Sequence, residues 1–129
     1  EYSGLFGIPD FVLYSKESGS TTIASFELKL KNWRRAAKQA FRYRSFSHLS
    51  YVVIDEQSMA AANKNIDLFR KYNIGLASFT PHKGLQVFFM PEVKAPFSEI
   101  QSQRILDDIP VKKRPARRME LICASLDHE

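Results

Sequence analysis

The chain has 129 residues, a formal net charge of +5, 44% hydrophobic and 26% charged residues, and one cysteine. That length and composition fit a single globular domain with a real core, and no apolar run approaches the roughly 20 residues of a membrane-spanning helix. Cys123 alone excludes an intrachain disulfide and any cysteine-based zinc site within the chain, so a reducing, cytoplasmic setting is expected.

Strands come first. Residues 11–14 and 22–30 are aromatic and β-branched runs. The stretch between them, residues 15–21, is rich in turn formers and contains Gly19. A hairpin closing symmetrically on Ser18 and Gly19 pairs residues whose numbers sum to 37, and Asp10 then lies opposite Glu27. Directly opposed Cβ atoms stand about 4.5–5.5 Å apart, and two like charges there need something positive between them. Alternation puts Lys29 on the face of Glu27 and turns Leu28 to the other face.

A helix is expected over residues 33–47, with Asn32 as its N-cap. Trp33, Ala36, Ala37, Ala40 and Phe41 form its apolar side. Lys31, Arg34, Arg35, Lys38 and Arg42 recur at intervals of three and four as a basic stripe. No acid stands four residues after any of them, so intrahelical ion pairs do not account for the stripe; it is expected to contact phosphates. Gln39 and Tyr43, four residues apart, share a face between the two sides.

Beyond it, residues 51–54 read as a short buried strand, 58–72 as a second helix, and 74–79 and 85–90 as two further strands. Asp55 and Glu56 lead into the second helix, where acids suit the positive end. His48, His82 and His128 show no metal-ligand spacing. The expected fold class is α/β, a mixed β-sheet flanked by helices, with a core over residues 1–91. Residues 92–129 carry Pro96, Pro110, Pro115 and the basic run 112–118. They are expected to be a Pro-containing basic tail or linker with a short helix over 119–126. Positive charge is concentrated near the hairpin: residues 1–50 hold eight Lys or Arg against four acids, residues 51–111 six against seven. Such a field favours polyanionic partners.

Ile8-Pro9-Asp10 followed by Glu27-Leu28-Lys29 resembles the signature of the PD-(D/E)XK nuclease superfamily, and Gln39 with Tyr43 resembles the Gln-x-x-x-Tyr motif of its RecB-type exonuclease branch. The resemblance spans roughly residues 5–80. It implies a restriction-endonuclease-like fold and a Mg²⁺-dependent nuclease, with Mn²⁺ as a substitute and DNA favoured over RNA. It further implies that Asp10, Glu27 and the Leu28 carbonyl hold the metal, that Lys29 orients the nucleophile or stabilises transition-state charge, and that Gln39 and Tyr43 orient substrate. Family members usually carry another acid on a helix ahead of the first motif. Only nine residues precede Asp10, and Glu1 is a poor stand-in, so the chain reads as part of a larger polypeptide or assembly. Cutting both strands of a duplex would call for two such sites, as in a homodimer. The rival expectation is a catalytically inactive module of this fold that binds nucleic acid or assembles with partners.

Overall fold

A computed structural model describes residues 9–29 and 31–108. Its five strands are β1 (Phe11–Glu17), β2 (Ser20–Lys29), β3 (Leu49–Ile54), β4 (Gly75–Thr80) and β5 (Gly84–Phe89). They form one sheet in the order β1-β2-β3-β4-β5. The outer pairs are antiparallel, while β2–β3 and β3–β4 are parallel. The parallel steps require crossovers. These are helix α1 (Trp33–Tyr43) and the pair α2 (Met59–Lys64) and α3 (Ile66–Tyr72); α4 (Glu99–Asp108) follows the sheet. The chain is thus mixed α/β.

The hairpin closes on a two-residue turn. Ser18 (φ 50°) and Gly19 (φ 82°) are both left-handed, as a type I′ turn demands. Every β1–β2 pair, from Glu17↔Ser20 to Phe11↔Phe26, has the sum of 37 that the turn sequence predicts.

The helices cover one face of the sheet. Trp33, Ala36, Ala37 and Ala40 of α1 pack with Val52, Ile54, Phe69 and Leu76 in the principal core. Alanine at three consecutive contact positions lets the helix axis lie close to the strands. Glu27 pairs with Val52 across β2–β3, and Lys29 with Ile54, so both acid and amine stand on the α1 face. The opposite face carries Ala24, Phe26 and Tyr51, the two rings stacked 5.1 Å apart. Gly75 lies beneath the Tyr51 ring, where a Cβ would overlap it.

Three elements differ from the sequence expectations. Helix α1 ends at Tyr43, not at 47. Past that point the amides of Arg44, Ser45 and Phe46 bond three residues back, to the carbonyls of Phe41, Arg42 and Tyr43, so the turn tightens and the helix stops; the Arg44 and Ser45 carbonyls accept from the amides of Phe97 and Ser98, and the His48 amide donates to the Ile23 carbonyl. The helix expected over 58–72 breaks at Asn65 (φ −112°, ψ 27°) into α2 and α3. The Asn65 side chain donates to the Ala61 carbonyl at 3.0 Å, the local competition that makes Asn a poor interior residue. Within the segment expected as tail or linker, residues 99–108 form α4, and Ile105 is buried with Ile23, Tyr43 and Phe46. The basic run at 112–118, the expected helix over 119–126, Cys123, His128 and Glu1 lie outside the described residues.

Candidate functional site

The end of the hairpin gathers most of the residues singled out by sequence. The last ladder pair is Phe11↔Phe26. Asp10 is then held against β2 at two points flanking Glu27. Its amide donates to the Phe26 carbonyl at 3.0 Å, and its carboxylate Oδ2 accepts from the Leu28 amide at 2.7 Å. Asp10 is exposed, whereas Glu27 is only 3% exposed.

A buried carboxylate must be paired, and Glu27 is paired at both oxygens. Tyr43 Oη donates to Oε1 at 2.7 Å, and Lys29 Nζ lies 3.3 Å from Oε2. Lys29 keeps about a third of its side chain in solvent. Tyr43 comes from the last turn of α1 and is buried. Burial first, then the hydrogen bond to Glu27 and the charges of Glu27 and Asp10, hold its phenol above its ordinary range. The phenol therefore remains a donor throughout the neutral range and fixes the Glu27 rotamer. Leu28 turns its side chain to the other face and is 43% exposed. Gln39 is half-buried on the Tyr43 flank of α1, with no side-chain hydrogen bond among the described residues.

The donor set suits a hard cation. Asp10 Oδ1 is not engaged by the Leu28 amide, and each carboxylate oxygen of Glu27 retains a lone pair beyond its present partner. Mg²⁺ is characteristically held by one or two carboxylates and keeps several waters. Among the described residues no cluster of three or more His, Cys, Asp and Glu side chains gathers, and Asp10 and Glu27 are the carboxylates brought to this end of the hairpin. Glu56 pairs with Lys83 at 2.8 Å, and Asp55 follows Ile54, the strand partner of Lys29.

The basic stripe occupies the other flank of α1. Arg34, Lys38 and Arg42 line a cavity of about 480 Å³ between α1 and α3, while Lys31 and Arg35 are exposed outside it. None of the five is in an ion pair among the described residues. The guanidinium of Arg34 lies 4.6 Å from the Trp33 ring centre, which leaves its charge unneutralised. The far wall brings Leu68 and Tyr72, four residues apart on α3, beside Phe41. Sequence reasoning missed this wall; the Leu68–Tyr72 spacing was its signal. His48 was likewise passed over as a non-ligand. Its Nδ1 accepts from the Ile23 amide at 3.0 Å, and its own amide and carbonyl bond Ile23 and Lys94. It thereby ties β2 to the lead-in of β3.

No family model, curated protein or solved structure matches this chain. Among the described residues no helix is long and apolar enough to cross a membrane.

Proposed function

We propose that this chain is a metal-dependent nuclease domain of the restriction-endonuclease-like kind, hydrolysing phosphodiester bonds, with DNA as the favoured substrate. The single observation that carries the reading is the juxtaposition of Asp10, Glu27 and Lys29 at one end of the hairpin, with Tyr43 bonded to Glu27. A Mg²⁺ ion held by Asp10, Glu27 and the Leu28 carbonyl would supply Lewis acidity and a water of lowered pKa.

The chain's own groups have distinct parts. Asp10 is locked by the Leu28 amide, so one oxygen keeps a fixed aim. Glu27 is held by Tyr43, which cannot take up a proton from it while keeping its own. Lys29 stands with its ammonium beside Glu27 and partly in solvent, where it can meet negative charge developing on a phosphoryl oxygen. Gln39, with no side-chain hydrogen bond among the described residues, can contact substrate from the same flank. The stripe of Lys31, Arg34, Arg35, Lys38 and Arg42, in no ion pair among the described residues, supplies sequence-independent attraction for phosphates.

The test is cleavage of labelled single-stranded DNA, duplex DNA and RNA with Mg²⁺, Mn²⁺ or EDTA, beside Asp10→Asn and Lys29→Ala. Metal-dependent cutting lost in both variants is the expected result. A folded parent that cuts none of the three contradicts it. One observation favours a second reading, an inactive module that binds nucleic acid or assembles with a partner: both oxygens of Glu27 and one of Asp10 are already satisfied within the chain. In that case the same assay gives binding without cutting.

A further inference from the structure

The cavity between α1 and α3 is built differently from the hairpin end. Arg34, Lys38 and Arg42 recur every fourth residue and rise along about 12 Å of one wall. Leu68 and Tyr72 of α3 line the other side, and Phe41, next to Arg42 on α1, meets the Tyr72 ring. Tyr72 is 38% exposed; its ring meets that of Phe41 edge-to-face at 5.2 Å, with Lys71 Nζ 5.5 Å from the ring centre. Its backbone is fixed as well: the Tyr72 carbonyl accepts from Arg44 Nη1 at 3.1 Å. At about 480 Å³ the cavity is in the size range of ligand sites. It lies on the flank of α1 turned away from Tyr43, since positions 34, 38 and 42 share one side of a helix and 39 and 43 another.

The geometry points to a seat for single-stranded nucleic acid, with successive phosphates along Arg34, Lys38 and Arg42 and an unstacked base against Tyr72, Phe41 and Leu68. A row of cations alone would serve any polyanion. The Tyr72 ring across from them, beside Leu68, narrows the choice, because only an unpaired strand offers repeated phosphates and free base faces together. A duplex keeps its bases stacked inside and would leave the apolar wall unused. The inference rests on the nucleic-acid part of the proposed function and not on cleavage. It makes a single strand, or the frayed end of a duplex, the form of substrate that this chain holds.

Binding is read by fluorescence anisotropy of a labelled oligo(dT) and of a duplex of equal length, in EDTA, over a series of NaCl concentrations. The protein carries Asp10→Asn in every arm. Tyr72→Leu is expected to weaken oligo(dT) binding about five- to a hundredfold, with Tyr72→Phe near the parent and duplex binding little changed. The triple variant Arg34→Gln, Lys38→Gln, Arg42→Gln should flatten the single-strand salt slope by about 2, at roughly 0.7 per phosphate contact. Oligo(dT) binding by Tyr72→Leu equal to the parent, or equal losses on both nucleic acids, overturns the seat. An unchanged salt slope in the triple variant overturns it as well, and decides the matter alone if Tyr72→Leu melts early. The outcomes separate from those of the cleavage assay. A parent that never cuts, but whose single-strand binding depends on Tyr72, keeps the seat and loses the nuclease. A parent that cuts while Tyr72→Leu binds normally does the reverse.

Discussion

The two flanks of α1 carry opposite electrostatic designs. On the flank facing β2, charge is internally answered: Glu27 is buried, bonded by Tyr43 and paired with Lys29, and Asp10 caps the Leu28 amide. On the flank facing α3, Arg34, Lys38 and Arg42 stand beside a cavity with no anion among the described residues to meet them. Both flanks belong to one eleven-residue helix, so helix stability does not explain the difference. A closed polar network fixes geometry, and an open row of cations leaves attraction to spare for a partner from outside. The first is what chemistry needs and the second is what capture needs.

The sharpest way to break that comparison is to remove charge from the closed network while leaving its hydrogen bonds. Asp10→Asn keeps an oxygen for the Leu28 amide and loses only the negative charge. Under the proposed function it should cut at least about 100-fold more slowly, the scale of losing one transition-state electrostatic contact, with a melting temperature close to the parent's. If cutting persists, Asp10 is merely a strand-end cap. Stability of the network is read from Tyr43→Phe. It strips Glu27 Oε1 of its donor and should cost about 1–3 kcal/mol by denaturant titration. Its pH signature is specific. The phenol's pKa is raised in the folded state, so its contribution is complete below the ordinary value of about 10 and is lost as pH rises toward the folded value. The parent should therefore lose stability above about pH 10, and Tyr43→Phe should show a flatter alkaline limb.

A control lies on the other face of the sheet, away from both flanks. Gly75→Ala pushes a methyl into the Tyr51 ring, which is itself stacked on Phe26 and close to Pro91. A loss of about 1–3 kcal/mol is expected from such overpacking, with the salt dependence of nucleic-acid binding unchanged. A shifted salt slope here would mean that the flanks are not independent of the sheet behind them.

The hairpin end was legible in sequence because its determinants are local. Ser18 and Gly19 set the register, and period-two alternation then assigns Asp10, Glu27, Leu28 and Lys29 to their places. The basic stripe was legible from the 3.6-residue period. The wall opposite it was not, since Tyr72 meets Phe41 only after β3 and two helices have formed. Helix α4 had a local signal: Ser98 Oγ accepts from the Gln101 amide at 3.2 Å, the first half of a Ser-x-x-Gln capping pattern. The stop at Tyr43 had none: the turn just beyond it is held by the amides of Phe97 and Ser98, which bond the Arg44 and Ser45 carbonyls from more than fifty residues on. Distant partners decide what local periodicity leaves open.

The smallest expected effect concerns the joint on which both flanks hang. His48 accepts from the Ile23 amide through Nδ1, which only a ring unprotonated at that nitrogen can do. Burial lowers its pKa from the ordinary value of about 6.5. A lowered pKa means that the stabilisation is complete above 6.5 and fades as pH falls through the folded value, because the unfolded chain takes up the proton first. One such proton sets a slope of at most about 1.4 kcal/mol per pH unit. Melting temperatures between pH 7 and pH 5 should therefore fall for the parent and stay nearly level for His48→Gln, whose side-chain carbonyl can accept from the same amide without titrating. Few other side chains change charge in that window, and His82 is exposed, so a parallel decline in the variant would move the acid sensitivity away from this joint. A decline confined to the parent would tie the start of β2, and with it the approach to Glu27, to the protonation of one ring on the loop before β3.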